Sequence, residues 1–136
     1  MSIRDTALKF VDACDTGKGW DVCSEWCHDG AGFSCQADAL SDVDSLAAYV
    51  GWAAGLLGPV PDARYDLKCV AVDEERSKVS VQAVFQGTNT GEGPVPPTGN
   101  AIASDYVYVM EFDGDRIRHM TKIWNDGHAL GQLGWA

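Results

Sequence analysis

Asp105, His119, Thr121 and Asn125 are residues of this 136-residue chain whose types and spacing suit acid–base chemistry. They fall in or just after two strongly apolar runs, "AIASDYVYVMEF" and "RIRHMTKIW", joined across "DGD", which reads as a β-hairpin. Centring the turn on Gly114 places Val109 opposite His119, Asp105 opposite Ile123 and Ala103 opposite Asn125. Side chains alternate along a strand, so Asp105, His119, Thr121 and Asn125 then share one face. A carboxylate held away from water there would have a pKa raised toward values useful for taking a proton, with Asp105 as general base and His119 as its acid or orienting partner. Asn125 takes no proton, but its amide can donate a hydrogen bond to a developing enolate oxygen. Each residue also has a structural reading. Asp105 can bond backbone at a strand start, His119 can be a core or interface histidine, and Asn125 with Asp126 can cap a short helix beginning near Gly127, with Asp126 the favoured cap.

Other chemistries find less support. Cys14, Cys23, Cys27, Cys35 and Cys69 cannot all pair within one chain, and "MSIRDTALKFVDACD" lacks the apolar core of a secretory signal, so reduced thiols in a cytoplasmic, soluble protein are expected. Cys23 and Cys27 lie one helical turn apart beside His28 but lack a second ligand pair at zinc-site distance, so no metal and no other cofactor is expected. His28, Asp29 and His128 read as loop or surface groups. The formal net charge of −10 argues against nucleic acid and anionic membranes as partners, and no run reaches the length of a membrane span. "GTNTGEG" leads into prolines and not into a helix, which excludes a nucleotide-cradling loop.

The elements that would position these residues follow from periodicity. Ile3, Ala7, Phe10, Val11 and Cys14 recur at helical spacing, giving a one-sided helix that ends near Gly17. A short second helix is expected over 19–27, then a strand at "GFSCQ". Ser41 and Asp44 have the form of a capping box for a third helix carrying Leu46, Tyr49, Val50, Ala53, Leu56 and Leu57, ended by "GPVP". The period then changes to two. Tyr65, Leu67, Cys69 and Ala71 alternate with charged residues, and Val79, Val81, Ala83 and Phe85 alternate with polar ones, so the chain closes as a four-stranded antiparallel meander packed against helices, an α+β layout. "TNTGEGPVPPTGN" must be an exposed loop. Among the large apolar residues, Trp52 and Phe33 are the best candidates for a ligand-facing wall.

The order of elements, the loop "GTNTGEGPVPPTG" at 87–99 and the ending "WNDGHALGQLG" at 124–134 resemble the nuclear transport factor 2-like superfamily, and within it the SnoaL-like polyketide cyclases. The resemblance spans nearly the whole chain as one domain, 1–136. It implies a cone-shaped, cystatin-like α+β fold with a curved antiparallel sheet, a pocket between sheet and helices, and a homodimer formed through the outer sheet face. It makes the Asn125 face the pocket face, lined also by Val107, Val109, Thr121, Ile117 and Ile123, with Phe85 facing the same ligand. The implied partner is a small hydrophobic organic molecule. The implied reaction is cofactor-independent proton abstraction next to a carbonyl, as in polyketide cyclases or ketosteroid isomerase-like enzymes. Two departures stand out: Asn125 occupies the position of the cyclases' strand-end carboxylate, and Asn89 stands where the loop motif has His. The alternative is a noncatalytic ligand-binding or dimeric scaffold domain that has lost that carboxylate.

Overall fold

A computed structural model describes residues 2–135. Helix α1 (Ile3–Asp15) starts where the Ser2 side chain accepts from the Asp5 amide, and it buries Ala7, Phe10, Val11 and Cys14 as the spacing requires. It ends at Gly17, whose φ of +76° suits glycine and whose missing side chain leaves room for Leu57. The second helix is shorter than its apolar content suggests. α2 (Trp20–Cys23) tightens at once into a 3₁₀ turn (Ser24–Trp26), and the chain is already extended at Cys27.

Strand β1 (Cys27–Cys35) is followed by α3 (Leu46–Gly55), β2 (Arg64–Asp73), β3 (Lys78–Thr88), β4 (Ala101–Asp113), β5 (Arg116–Trp124) and α4 (Asp126–Leu133). The expected meander is present as β2 to β5. β1 adds a fifth strand at the far edge, pairing parallel with β5, so the sheet is mixed and its order is β1-β5-β4-β3-β2. The expected capping box at Ser41 is corrected as well. Ser45 caps α3, its hydroxyl accepting from the Ala48 amide at 3.1 Å, because Ser41 closes a 3₁₀ turn (Asp38–Leu40) instead.

Helices α1 and α3 cover the concave face of the sheet, and one apolar core joins them, with Phe10, Leu46, Val50, Val79, Val81, Met110 and Met120 fully buried. Two bulges decide which side chains enter it. In β2 the register shifts between Leu67 and Cys69, so Val70 and Val72 pack on the core where strict alternation would have placed Cys69 and Ala71. In the β4–β5 hairpin, Glu111 faces His119 while Phe112 faces Ile117, leaving Arg118 as the extra residue. Val109 therefore lies opposite Thr121 and Val107 opposite Ile123, two positions from the register obtained by centring on Gly114.

The loop between β3 and β4 is held by Asn89, which is fully buried. Its amide donates to the Pro59 carbonyl at 2.9 Å, while its oxygen accepts from the Thr98 amide at 3.0 Å and the Trp135 indole at 3.0 Å. One side chain thus joins the α3–β2 connection, the Pro-rich loop and the chain's C-terminal end. Asn89→Ala strands these donors and this carbonyl in a buried place, and it should destabilise the fold by about 2–3 kcal/mol in urea unfolding. A loss below about 0.5 kcal/mol, the usual range for surface changes, would remove Asn89 from this role.

Candidate functional site

On β4 two rows compete for the interior. Ile102, Ser104, Tyr106, Tyr108, Met110 and Phe112 are buried, whereas Ala103 and Asp105 are exposed and Val107 and Val109 are half-covered. β5 agrees once its bulge is counted, with Ile117, Met120 and Lys122 buried and Ile123 60% exposed. Asp105, His119 and Thr121 do share a face, as the alternation requires, but it is the outer one. The pocket face expected from the resemblance is therefore corrected: Asp105, Val107, Val109, Thr121 and Ile123 point away from the helices, because the tyrosine row takes the concave side. His119 bonds the Ser34 hydroxyl through Nε2 at 2.9 Å on that outer surface. Asn125 lies just past β5 and caps α4, its side-chain oxygen accepting from the His128 amide at 3.1 Å. Asp126, the cap favoured from sequence, instead accepts from the Ala39 amide at 2.8 Å and anchors α4 to the turn before α3.

The concave side holds a different constellation. Lys122 is only 6% exposed, and its Nζ donates to the Tyr49 hydroxyl at 3.0 Å. The Tyr49 and Tyr108 hydroxyls are 2.6 Å apart, and Tyr108 donates to one oxygen of Asp15 at 2.7 Å. Tyr106 donates to the other Asp15 oxygen. α1, α3, β4 and β5 each contribute to this chain of contacts. Aromatic rings surround the ammonium, with Nζ 4.2 Å from the centre of Trp124, 5.0 Å from Tyr49 and 5.2 Å from Trp52. Those distances lie within reach of cation–π attraction.

Burial sets the protonation behaviour of the cluster. It pushes the Lys122 ammonium down to about 8, the negative charge of Asp15 resisting the shift. It pushes Asp15 up from the usual carboxylate range, against the tyrosine hydrogen bonds and the Lys122 charge, which pull it down. Asp15 also ends α1, where helix carbonyls disfavour an anion, so the two tyrosine donors are its main local support. The same burial raises Tyr49 and Tyr108.

Above this polar floor lies a concavity with mostly apolar lining, partly open to solvent. Trp52 and Phe85, both expected as ligand contacts, line it together with Trp124, Leu133 and Trp135. Phe33 does not border this cavity. It stacks behind Tyr49, with ring centres 4.5 Å apart and planes 10° apart, and so fixes the angle of that phenol. Ser104 accepts from the Trp124 indole at 3.0 Å, which sets the orientation of the cavity's largest wall. The arrangement presents a hydrogen-bond donor of positive charge and a carboxyl group, linked by phenols, to one side of an apolar space.

The sequence carried signals for this cluster. Asp15 lies four residues after Val11 and eight after Ala7, on the apolar stripe of α1, and Lys122 is two residues from Trp124 in the row that includes Tyr106 and Tyr108. Cys23 and Cys27 are buried in the core, the Cys27 thiol donating to the Cys23 carbonyl at 3.4 Å, and their thiols are pushed up to about 11 and about 12 by burial. His28 turns instead to the Asp113 carbonyl at 3.2 Å. Among the described residues no group of three or more His, Cys, Asp or Glu could hold a metal ion, and no helix is long and apolar enough to cross a membrane.

Comparisons with known proteins agree with this architecture. No curated protein matches the chain. A protein from Jannaschia sp. CCS1, provisionally described as a SnoaL-like polyketide cyclase, superposes with a TM-score of 0.78 at 20% identity, covering 97% of this chain and 91% of that one. IdmH of Streptomyces antibioticus, provisionally described as a polyketide cyclase, gives 0.79 at 19% identity, covering 98% and 99%. A protein of ketosteroid isomerase-like fold from Catenulispora acidiphila gives 0.70 at 15% identity, covering 95% and 92%. The family model for SnoaL-like polyketide cyclases matches residues 5–133, and the chain belongs to that family.

Proposed function

We propose that this chain, acting as one domain without metal or organic cofactor, binds a small hydrophobic carbonyl compound in the concave cavity and moves a proton on the carbon next to the carbonyl. Cyclisation or isomerisation would follow from the resulting enolate. The observation that carries this reading is the buried Asp15–Tyr108–Tyr49–Lys122 chain at the floor of an aromatic cavity. Asp15, its pKa raised by burial, is the proton acceptor; its oxygens keep lone pairs beyond those used by the tyrosines. Lys122 donates to the oxygen that gains charge, where low surrounding polarity strengthens the hydrogen bond, while Tyr49, whose one proton goes to Tyr108, accepts from the ammonium and holds it in place. This replaces the strand-end carboxylate that Asn125 lacks with a carboxylate from α1. The base has moved, not vanished.

The competing reading is a noncatalytic binder, for which the aromatic walls alone suffice. The two differ in what they ask of Asp15. Wild-type protein in D₂O should accelerate exchange of the α-hydrogens of hydrophobic cyclic ketones and β-diketones, followed by proton NMR. Asp15→Asn should lower that rate by roughly 10²–10⁴-fold, while Asp105→Asn and His119→Gln, on the outer face, should leave it intact. Wild-type protein that binds these ketones yet leaves exchange at the solvent rate would favour the binder.

The protonation of Lys122 has its own signature. An unfolded lysine keeps its proton up to about 10.5, but the folded one releases it at about 8, so between these values the unfolded state binds more protons and stability rises with pH. Below that window both states are charged and the contribution is flat. Relative to Lys122→Met, wild-type protein should gain on the order of 3 kcal/mol across the window in chemical denaturation. Parallel pH curves for the two proteins would mean that Lys122 is not desolvated.

A homodimer through the outer sheet face belongs to the same reading. Val107, Val109 and the 60%-exposed Ile123 form an apolar stripe there, in register across β4 and β5. Sedimentation velocity should find a dimer for the wild type and a monomer for Ile123→Glu. A wild-type monomer at micromolar concentration would count against it.

A further inference from the structure

Lys122 stands out among the charged groups because it has been taken out of water without an ion-pair partner at contact distance. The salt bridges of the described residues, such as Lys68–Asp66 and Arg118–Glu111, lie at the surface on exposed or half-exposed side chains, and none involves Lys122. Its hydrogen bond goes to a neutral phenol, and its charge sits among aromatic faces. Two concavities border it: the main cavity, and a second depression edged by Ser34, Gln36, Ala37 and Ile123. A strictly structural cation gains most from a direct carboxylate. An amine beside an apolar cavity, held by a donor–acceptor phenol, is arranged to give up its proton and use its lone pair.

We propose that Lys122 is a nucleophile that forms an imine with an aldehyde or ketone bound in the main cavity. The step rests on the reading of that cavity as a site for carbonyl compounds and extends it from hydrogen bonding to covalent activation. The ammonium first passes a proton to the Tyr49 hydroxyl, and the contacts of 3.0, 2.6 and 2.7 Å through Tyr49 and Tyr108 continue to Asp15. The free Nζ attacks the carbonyl carbon, forming the C–N bond while the carbonyl oxygen takes that proton back. The carbinolamine then loses this oxygen as water, a second proton on nitrogen serving the departure. One ammonium and one carbonyl compound give one protonated imine and one water, with no oxidant or reductant. The positive imine makes the neighbouring C–H more acidic, and Asp15 is placed to take that proton, leaving an enamine.

The titratable groups whose charge acts on Nζ come from α1 (Asp15 and Cys14) and β1 (Cys35), while the neutral phenols of α3 (Tyr49) and β4 (Tyr106 and Tyr108) face it. At neutral pH roughly one Lys122 in ten carries the free lone pair, far more than an exposed lysine near 10.4 would. Reactivity should therefore climb with pH and level off near 8.

Benzaldehyde and 2-tetralone, each with sodium cyanoborohydride, trap imines as stable secondary amines that intact mass and peptide mapping locate. Wild-type protein at pH 7 should be labelled at Lys122 about tenfold or more above Lys9, Lys18, Lys68 and Lys78, in keeping with its larger free-amine fraction. Lys122→Arg should lose that one site and keep the surface background. Because the map of the wild type reads the result directly, it stands even where the variant folds poorly. Labelling spread evenly over the lysines would overturn the proposal. Ketone α-hydrogen exchange that persists without trapping at Lys122 would overturn it alone and leave the hydrogen-bonding mechanism in place, whereas loss of both exchange and trapping would remove both.

Discussion

The concave side of this protein is organised around one buried ammonium. Moving a lysine head out of water carries a penalty of several kcal/mol even after relaxation, and that penalty must be met by whatever surrounds it. Here the compensation comes in pieces: a phenol at 3.0 Å, the faces of Trp124 and Trp52, and the charge of Asp15 acting across two tyrosines. Each piece belongs to a different element. Moving α1 would take Asp15 away, moving α3 would take Tyr49 and Trp52, and a slip of β4 by one residue would exchange Tyr106 and Tyr108 for Asp105 and Val107. The helix-over-sheet arrangement and the protonation state of the site are therefore coupled.

That coupling explains why the fold was legible in the sequence while the site was not. Helix α1 announces itself through Ala7, Phe10, Val11 and Cys14, and β3 through Val79, Val81, Ala83 and Phe85, because burial on one side leaves a period. β4 offers no such decision. Both of its rows are apolar enough to face inward, and the resemblance, through Asn125, points to the row with Asp105. Volume and polarity argue the other way, since Tyr106, Tyr108, Met110 and Phe112 fill more of a core than Val107 and Val109 beside Asp105 and Glu111. Lys122 is a charged residue in the inward row of β5, where its neighbours in the alternation, Met120 and Trp124, both pack on the core.

The hairpin register shows how a local defect can mislead without changing the face. The two-residue turn at Gly114 and Asp115 shifts the pairing by one residue and the Arg118 bulge by one more, so Asp105, His119 and Thr121 remain on one side together while Ile117, on the turn side of the bulge, is buried. Three of the polar residues are grouped as expected although the register differs, and Ile117, expected beside them, is not. Sequence alone does not report a bulge at a charged residue next to a tight turn, because Arg116 and Arg118 both read as ordinary outward positions. β1 was also hard to place, as its parallel pairing with β5 joins segments about ninety residues apart and leaves no turn signal between them.

Asn125 and Asn89 show what the family resemblance can and cannot carry. Each stands where the resemblance implies an ionisable residue, and in this chain each has a structural task, one capping α4 and one fixing the β3–β4 loop. An amide suits both tasks because it donates and accepts at once without needing a counter-charge. The carboxylate and the ammonium that border the cavity are those of its floor, Asp15 and Lys122. There the carboxylate comes from α1 and the cation from β5, and the protons between them run through phenols whose raised pKa keeps them neutral as donors.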